Sequence, residues 1–353
     1  MVDGLCARKS SVSQVGYGAR SFGPVLYEQR FVYACGRKRS SQMPGRCLVV
    51  GSVNTDIVLK VPRFAEPGET LLATQMLVSG GGKGANQAVA AARQGAHVTL
   101  IAAIGNDPFS EQRYNELERE GIDLRFLARV KGQGGLAFIE CNAEGENRII
   151  VAAGANGALE GEGVRRAMRE LELCPEDVVL TQLEIPLPAV EAALSMARET
   201  GARSVLNATP WTEDAADLLR LCDVLVMNAL EARQAAGVDR AEPIEPVATR
   251  LVERVPLVAV TLGGEGALLV TEHERLRCRA PHVPVVDTTA AGDAFTAALA
   301  VSLLEGESWE GTLVRAVWAG ALTVQRPGAQ PSLPFRSELE QAIAAHPLVT
   351  ERW

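Results

Sequence analysis

From Cys47 onwards, short apolar runs alternate with stretches of helical periodicity, and this alternation restricts the fold more than any other feature of the chain. Apolar runs of about four to eight residues between turn residues are typical of strands buried on both faces. Strands separated by helices are joined by right-handed crossovers, which place helices on both sides of one sheet. We therefore predict an α/β fold with a doubly wound, mostly parallel sheet flanked by helices. The predicted strands are 47–53, 97–104, 178–182, 204–207, 224–227 and 257–262, and the predicted helices are 85–94, 110–120, 188–200, 231–236, 246–254 and 294–304.

Two stretches, 55–77 and 134–152, break this rhythm because their polar and apolar residues alternate. Alternation is typical of strands with one exposed face, and both stretches contain turn residues, at 66–68 (Glu-Pro-Gly) and 145–147 (Gly-Glu-Asn). We predict that they form a small antiparallel β sheet outside the main sheet. Ligands of open α/β sheets bind beyond the carboxyl ends of the strands, so a small sheet beside that edge would serve as a lid.

The first 46 residues differ in composition from the rest of the chain. They contain eight Lys or Arg residues but only two acidic residues, Asp3 and Glu28. This composition indicates a segment outside the fold, either an organellar presequence, a disordered tail, or residues upstream of a working start at Met43. We predict one domain at 47–345 that includes the lid, with 1–46 as an N-terminal extension and 346–353 as a C-terminal tail.

The bulk composition argues against several classes of protein. The net charge is −8, and an acidic body does not suit a nucleic-acid partner. No apolar run approaches the roughly 18–20 residues that span a bilayer, so no membrane partner is expected. Seven cysteines without a C-x-x-C pair and four histidines without metal-ligand spacing indicate neither a disulfide framework nor a zinc site. Reduced thiols fit a cytoplasmic location, while the extension leaves organellar targeting open.

The segment 286–295 (Val-Asp-Thr-Thr-Ala-Ala-Gly-Asp-Ala-Phe) carries the strongest chemical signal. A helix that begins within it offers unpaired N–H groups, which can hold the negative charge of a phosphate. Asp293 could accept a proton from a hydroxyl group there, while Ala291, Gly292 and Asp293 supply backbone N–H groups. We interpret the segment as a phosphoryl-transfer site. The alternative is that the aspartate only caps the helix.

Residues 80–86 (Gly-Gly-Gly-Lys-Gly-Ala-Asn) form a glycine-rich turn before a helix. The turn is not a Walker A loop, because Leu77 and Gly84 stand where that loop needs a glycine and a Ser or Thr. Glycines at this place let the backbone approach a compact polar ligand, with Lys83 and Asn86 as donors. A turn that binds no ligand is the alternative.

Two further segments follow predicted strands, where a parallel sheet presents ligand-binding residues. Asn54 and Asp56 follow the first strand, and a carboxamide beside a carboxylate suits a polyol; a plain Asn-x-Asp turn is the alternative. Residues 261–266 (Thr-Leu-Gly-Gly-Glu-Gly) follow a later strand. Such a loop can lie against a base or a ribose and donate N–H groups to phosphates.

Together these motifs resemble the ribokinase branch of the PfkB family of carbohydrate kinases, from about Cys47 to Phe335. The resemblance implies a ribokinase-like fold and ATP-dependent phosphorylation of D-ribose at its 5-hydroxyl, giving ribose 5-phosphate and ADP, with Asp293 as general base. Residues 207–211 (Asn-Ala-Thr-Pro-Trp) are a variant of the family's Asn-Pro-Ala-Pro segment. The matching segments are 51–56, 67–70, 80–92, 145–147, 154–156, 182–184, 261–263, 287–293 and 328–332.

The resemblance also implies individual ligands. The sugar would be bound by Asn54, Asp56, Gly82, Lys83, Gly84, Ala85, Asn86, Glu184 and Asp293. The nucleotide would be bound by Asn228, Glu231, Thr261, Leu262, Gly263, Gly264, Glu265, Gly266, Gly292 and Asp293. A K⁺ site would comprise Asp287, Ser332 and the carbonyl groups of Thr289, Thr323, Arg326 and Gly328, since a hard cation prefers oxygen donors.

The Asn228-x-x-Glu231 pair is associated by the same resemblance with Mg²⁺ and its phosphate-bound waters, in keeping with the few protein ligands that Mg²⁺ uses. Structural alternatives remain open for these acids: a helix cap for Asn228 and Glu231, a solvated strand end for Glu184, and a turn cap for Asp287.

Other functions on the same fold are also open. A sibling kinase could act on deoxyribose, fructose or adenosine, although aromatic residues make up only 5% of the chain and an adenosine pocket needs more. A non-catalytic sugar-binding regulator would not need Asp293 within an intact anion-binding turn. A dehydrogenase is excluded because no G-x-G-x-x-G follows the first strand. An exposed apolar face on the lid predicts a homodimer.

Overall fold

Two β sheets organise the computed structural model, which describes residues 45–144 and 146–353. Of the described strands, ten form the main sheet and four form the smaller one. Numbered along the chain, the strands are β1 (Cys47–Val50), β2 (Asn54–Lys60), β3 (Gln75–Gly81), β4 (Val98–Ile104), β5 (Leu127–Arg129), β6 (Gly135–Cys141), β7 (Asn147–Ala152), β8 (Val178–Gln182), β9 (Arg203–Asn207), β10 (Val224–Asn228), β11 (Leu257–Thr261), β12 (Ala267–Thr271), β13 (Arg275–Cys278) and β14 (Thr350–Arg352).

The main sheet has the order β14-β13-β12-β11-β10-β9-β8-β1-β4-β5. Every neighbouring pair from β11 to β5 is parallel, whereas β12, β13 and β14 are added antiparallel at one edge. The predicted mostly parallel sheet is therefore confirmed. Val50 lies level with Ile101 and Thr181 on the neighbouring strands, so the carboxyl ends of β1, β4 and β8 meet at one edge.

Helices connect these strands and cover both faces of the main sheet. One hydrophobic core, which includes the fully buried Leu48, Leu194 and Leu206, lies under α3 to α6, while α1, α7 and α8 pack on the other face. Within the described ranges, every helix is too short or too polar to cross a bilayer. The helices are α1 (Lys83–Arg93), α2 (Pro108–Arg119), α3 (Gly161–Glu170), α4 (Leu187–Thr200), α5 (Ala229–Ala236), α6 (Ile244–Leu251), α7 (Ala291–Glu305), α8 (Trp309–Thr323) and α9 (Arg336–Ala345).

The small sheet has the order β3-β2-β6-β7. Its two hairpins, β2–β3 and β6–β7, are antiparallel, as predicted. Its central pair, β2 and β6, is parallel, which alternation within each strand could not reveal. A separate small sheet is confirmed, and we call it the lid. Gly145, part of one predicted turn, lies outside the described residues.

Several element boundaries near the candidate site differ from the prediction. The first strand ends at Val50, because the chain then leaves the main sheet and enters the lid at Asn54. The helix predicted at 85–94 begins at Lys83, directly after its N-cap residue Gly82. The helix predicted at 294–304 begins at Ala291, so Asp293 lies inside its first turn.

Both ends of the domain also differ from the predicted limits. Residues 1–44 lie outside the described residues, so the interpretations of the extension stay predictions. Arg46 joins the fold, since its backbone N–H and its guanidinium donate to the buried Asp177 at 2.8 and 2.7 Å. Residues 346–353 are more than a tail, because β14 pairs with β13.

Candidate active site

Polar side chains from three elements and one connecting segment come together beyond the carboxyl ends of β1 and β8. Two hydrogen bonds join α1 to its neighbours: the Lys83 backbone N–H donates to Glu184 Oε2 at 3.0 Å, and Asn86 Nδ2 donates to Asp293 Oδ2 at 2.9 Å. Each bond joins residues that are distant in the sequence, so the fold itself assembles the group. We call it the polar cluster; its members are Asn54 and Asp56 on β2, Lys83 and Asn86 in α1, Glu184 after β8, and Asp293 in α7.

Asp56 is a buried carboxylate of the polar cluster. Burial and the negative charges of Glu184 and Asp293 raise the pKa of Asp56 to about 7, although Arg113 and Lys83 act in the opposite direction. Carboxylates only accept hydrogen bonds, so neighbouring acids that share a buried site suit a ligand with several hydroxyl groups.

The glycine-rich turn is packed tightly against β2. A Cβ on Gly81 would lie 2.1 Å from Asp56 Oδ1, and one on Gly82 would lie 2.7 Å from the Asn54 nitrogen. Gly82 also has a φ of 84°, in the left-handed region that glycine tolerates without strain. The contacts and the backbone conformation of the turn thus require glycines even without a ligand. The same close packing brings Lys83 and Asn86 beside the acids of the polar cluster.

Asp293 lies in the first turn of α7 without capping the helix. The N-cap residue is Ala290, with a φ of 61°, and no side chain caps the helix start. Instead, the two carboxylate oxygens of Asp293 accept from Asn86 Nδ2 and Gln87 Nε2, each at 2.9 Å. The structural alternative, that Asp293 is an N-cap, does not describe this geometry.

The start of α7 also offers backbone donors. The Ala291 N–H donates weakly to the Thr288 carbonyl at 3.3 Å. Among the described residues, no acceptor is found for the N–H groups of Gly292 and Asp293. A Cβ on Gly292 would meet nothing within 4 Å, so open space adjoins these donors. Unpaired N–H groups at a helix start attract anions, and here they adjoin the Asp293 carboxylate.

Asn228 and Glu231 cap the start of α5 reciprocally. Asn228 Oδ1 accepts from the Glu231 N–H at 2.9 Å, and Glu231 Oε2 accepts from the Asn228 N–H at 3.1 Å. The capping alternative is thus realised, but Asn228 also lines an open cavity of about 530 Å³. The predicted loop forms another wall, since the lining includes Thr261, Leu262, Gly263 and Glu265, and Gly264 and Gly266 belong to the same loop.

Lys83 is affected by the charge of Glu231 as well as by the acids of the polar cluster. Burial would lower the pKa of Lys83, but the negative charges of Asp293, Glu184, Glu231 and Asp56 outweigh it and raise the pKa. The ammonium group therefore stays cationic near acids of the polar cluster and near Glu231. A half-buried cation among these acids would stabilise negative charge that develops beside it.

Asp287 ties the segment before α7 to the loop after α8. Its Oδ2 accepts from the Gly328 N–H at 2.8 Å, and its Oδ1 accepts from the Thr289 N–H and hydroxyl at 2.9 and 2.6 Å. Burial would raise the pKa of Asp287, yet these hydrogen bonds outweigh it and lower the pKa.

Of the other predicted potassium ligands, Thr289 lies in the segment before α7, and the rest lie in or directly before that loop. The Thr323 carbonyl accepts from the Arg326 N–H at 3.2 Å, and the buried Ser332 hydroxyl donates to the Ala329 carbonyl at 2.7 Å. In the described part of the chain, no group of three or more His, Cys, Asp or Glu side chains could hold a metal ion. The donors near Asp287 are therefore one carboxylate with carbonyl and hydroxyl oxygens.

The sequence matches a family model described as pfkB family carbohydrate kinase over residues 45–336. The chain belongs to this family. Ribokinase of Haemophilus influenzae is 38% identical over 294 residues, which cover 82% of this chain and 95% of that protein. The pfkB kinase fold is also found in solved structures. The crystal structure of ribokinase from Thermotoga maritima has a TM-score of 0.77 and 36% identity, covering 86% of this chain and all of that one. The structure of Arabidopsis thaliana ribokinase complexed with ribose and ATP has a TM-score of 0.76 and 30% identity, covering 85% and 98%.

Two residues of this pfkB kinase hold the polar cluster but were not selected from the sequence. Ser52 Oγ donates to Glu184 Oε2 at 2.6 Å, and Asn156 Nδ2 donates to Asn54 Oδ1 at 2.7 Å. Both lie in segments that match the family, which was the only available signal. Their roles depend on contacts across more than 100 residues of sequence, which spacing does not reveal.

Gln87 and Arg277 were missed for different reasons. Gln87 follows Asn86 in an alanine-rich helix, where an amide normally faces solvent, yet it is fully buried against Asp293. Arg277 lines the 530 Å³ cavity of the kinase and pairs with Glu245 and Glu265 at 3.0 and 3.2 Å. It lies on an antiparallel strand whose position in the sheet was not predicted.

Proposed function

We propose that this kinase transfers the γ-phosphoryl group of ATP to the 5-hydroxyl of D-ribose, giving ribose 5-phosphate and ADP. The observation that carries the proposal is the Asp293 carboxylate, which is hydrogen bonded to Asn86 of the glycine-rich turn and stands beside unpaired N–H groups at the start of α7. A base and an anion-binding turn are thus combined at one point. Likeness to ribokinases, one of them complexed with ribose and ATP, supports this choice of substrates.

The polar cluster is the proposed sugar site. Asp56 and Glu184 would accept from ribose hydroxyls, while Asn54, Lys83 and Asn86 would donate, together with the backbone of residues 82–86. Asn156 and Ser52 fix the orientation of two of these side chains in advance. Pre-ordered ligands reduce the entropy that binding costs.

In the proposed mechanism Asp293 accepts the proton of the 5-hydroxyl as its oxygen attacks the γ-phosphorus in line. The N–H groups of Gly292 and Asp293, with that of Ala291 at the turn, would hold the charge on the transferred group. Lys83 adds a positive charge near the same point. Phosphoryl transfer requires mainly positioning and electrostatic stabilisation from the protein, which is what these groups supply.

ATP would occupy the cavity beside residues 261–266, near Asn228 and Glu231. Mg²⁺ supplies charge neutralisation for the phosphates and usually keeps several of its waters. The pair fits that task, because Glu231 Oε1 has no hydrogen-bond partner among the described residues and Asn228 is exposed to the cavity. Both side chains would therefore contact the hydrated ion through water.

Potassium is proposed as an activator bound by Asp287, Ser332 and the carbonyl groups of Thr289, Thr323, Arg326 and Gly328. The donor set fits a hard monovalent cation, since it consists of oxygens with a single carboxylate whose pKa is lowered. An ion at that place would order the turn that leads into α7. We expect kcat to rise when KCl replaces choline chloride at equal ionic strength. Equal rates in the two salts would contradict the site.

The function is tested by a coupled assay for ADP with ribose, deoxyribose, fructose and adenosine as acceptors. We expect the highest kcat/KM with ribose. No ribose-dependent ADP would reject the proposal, and a clear preference for another acceptor would replace ribose by that compound. A regulator that only binds sugar would release no ADP with any of them.

Asp293→Asn tests the base directly. Removal of a general base lowers kcat by about 10²- to 10⁴-fold. We expect a small change in ribose affinity because the asparagine oxygen can still accept from Gln87, while Asn86, whose Oδ1 has no partner among the described residues, can turn its amide to accept from the new NH₂ group. The readouts are steady-state kcat and calorimetric ribose binding. A variant with near-normal kcat would remove Asp293 from the role.

We also propose a cytoplasmic, reducing location and a homodimer joined through the lid. The five described cysteines are free thiols, as expected in such a compartment. The lid has an exposed apolar face, described below, that a second copy could cover.

A further inference from the structure

A chain of hydrogen bonds connects Asp293 to Glu231 through three side chains that have no role in the proposal above. Gln87 Nε2 donates to Asp293 Oδ1 and to Asn207 Oδ1, both at 2.9 Å. Asn207 Nδ2 donates to Thr209 Oγ1 at 3.1 Å, and Thr209 Oγ1 donates to Glu231 Oε2 at 2.8 Å. Gln87 and Asn207 are 0% and 6% exposed, so bulk water cannot easily replace a lost link.

The amides of Gln87 and Asn207 each fit these contacts in one orientation. The Asp293 carboxylate can only accept, so the Gln87 group that faces it must be NH₂, and Gln87 Oε1 then accepts from Gln182 Nε2 at 2.6 Å. Asn207 Nδ2 also donates to the Val226 carbonyl at 3.2 Å, which uses the second hydrogen of that amide. All donors therefore run in one direction from Gln182.

The hydroxyl of Thr209 completes this direction. A carboxylate can only accept, so the single hydroxyl proton goes to Glu231, and the oxygen is left to accept from Asn207. The chain of hydrogen bonds thus begins at buried amides and ends on two carboxylates, Asp293 in the proposed sugar site and Glu231 near the proposed nucleotide site. Hydrogen bonds to charged groups are about twice as strong as neutral ones, so both ends are held firmly.

The hydroxyl group of Thr209 is what allows this side chain to connect Asn207 with Glu231. A methyl group in its place could neither accept from Asn207 nor donate to Glu231.

We propose that Thr209 is a positioning residue that orients Glu231 towards the magnesium-bound nucleotide and fixes it relative to Asp293 through Asn207 and Gln87. Without the hydroxyl, Glu231 Oε2 would keep only the Asn228 N–H as a donor. The side chain would then sample more orientations. The proposal deepens the proposed function and rests on it for the identity of the reaction.

The experiment compares Thr209→Val, which keeps the shape but loses the hydroxyl, with Thr209→Ser, which keeps the hydroxyl. We expect the valine variant to lose about tenfold in kcat, the effect of one hydrogen bond to a charged group, with the KM for ribose unchanged. The Mg²⁺ concentration for half-maximal rate should rise, and serine should restore most of both. A change in packing alone would leave the Mg²⁺ dependence as it is.

Thr200→Val is the matched control, because its half-buried hydroxyl donates only to carbonyls of its own helix, those of Met196 and Ala197 at 2.9 and 3.2 Å. It should keep wild-type kcat and Mg²⁺ dependence. A serine variant as impaired as the valine variant, or a valine variant that matches Thr200→Val, would overturn the proposal.

A second readout does not depend on the sugar. Calorimetry of ADP binding should show about tenfold weaker affinity for Thr209→Val when Mg²⁺ is present, and no difference when EDTA removes it. If the wild type fails to phosphorylate ribose but shows this pattern, the proposed function is rejected and the role of Thr209 stands. If ADP affinity with Mg²⁺ is the same in wild type and variant, the role of Thr209 is rejected whichever sugar is used.

Discussion

Asp56 is buried beside two other carboxylates, Glu184 and Asp293, and this arrangement should cost stability. Because its pKa in the folded protein is about 7, against an ordinary value of 3.8, the folded state binds a proton that the unfolded state has already lost. The stability that Asp56 contributes is complete below about pH 4 and is lost as the pH rises to about 7. At neutral pH the ionised group opposes folding.

Asp56→Asn should therefore stabilise the protein in a pH-dependent way. A pKa difference of about three units corresponds to about 4 kcal/mol, so we expect at most that gain in the free energy of unfolding at pH 8 and less than half of it at pH 5. Urea denaturation at the two pH values measures it. The exposed Asp214→Asn is the control and should show no such difference. An equal gain at both pH values would show that the effect is not titration of Asp56.

The same group should control ribose affinity. With a pKa of about 7, the ionised fraction of Asp56 falls about tenfold between pH 8 and pH 6. In the proposed sugar site it is the ionised form that accepts from the ribose hydroxyls. We expect the KM for ribose to rise by about that factor over this range. In Asp56→Asn the KM should be high and nearly independent of pH. A wild-type KM for ribose that is constant from pH 8 to pH 6 would show that ionised Asp56 does not bind the sugar.

At the scale of elements, the start of α7 combines a strained entry with free donors. Ala290 has a φ of 61°, a conformation that costs a non-glycine residue on the order of 1 kcal/mol or more, and it turns the chain directly into the helix. Every residue of α7 from Asp293 to Leu304 is buried, so the helix cannot shift to relieve this turn. The donors are thus ordered before any anion arrives.

Gly292→Ala tests whether the space beside these donors is used. The added Cβ meets nothing within 4 Å, and alanine favours helices by up to about 1 kcal/mol, so the variant should fold at least as stably as wild type. Its methyl group would occupy the place of the transferred phosphoryl group, and we expect kcat to fall at least tenfold. Thermal unfolding and steady-state assays measure the two effects.

Gly163→Ala is the matched control, because Gly163 also lies in the first turn of a helix with nothing within 4 Å of an added Cβ. It should gain similar stability and keep its activity. Equal kcat in the two glycine variants would mean that no phosphoryl group approaches Gly292.

The same elements explain what could be predicted from the sequence. Strand β8 was predicted to the residue because its apolar start, Val-Val-Leu, directly follows the turn residues Pro-Glu-Asp at 175–177, and all five of its residues are buried. Strand β14 was missed because its residues, Thr-Glu-Arg, show no apolar pattern and pair only at a sheet edge. Motifs placed Asn86 and Asp293 in the site, but the burial of Gln87 depends on how α1 packs against α7, 206 residues away along the chain.

At the scale of the whole molecule, the two faces of the lid have different surroundings, because successive residues of a strand point to opposite faces. Asp56 on β2 and its partner Ala137 on β6 are buried on the face towards the site. The next residues point the other way: Val78, Ile57, Phe138 and Ile150 lie level across all four strands. Of these, Phe138 is 41% and Ile150 is 73% exposed. This apolar row makes the outer face of the lid a surface that a second copy would cover.

Ile150→Asp should therefore convert the proposed dimer into a monomer. A charge placed in an apolar interface is left without a partner, which should raise the dimer dissociation constant at least 100-fold. Light scattering coupled to gel filtration should give the mass of two chains for wild type and the mass of one chain for the variant. Val349→Asp is the control, since Val349 is 78% exposed but lies outside the lid, and it should stay dimeric. Because Asp56 and Ile57 of the apolar row are neighbours on β2, dimerisation would also restrain the sugar site, so the monomer should show a higher KM for ribose. A wild-type protein that is monomeric at micromolar concentration would contradict the proposed dimer.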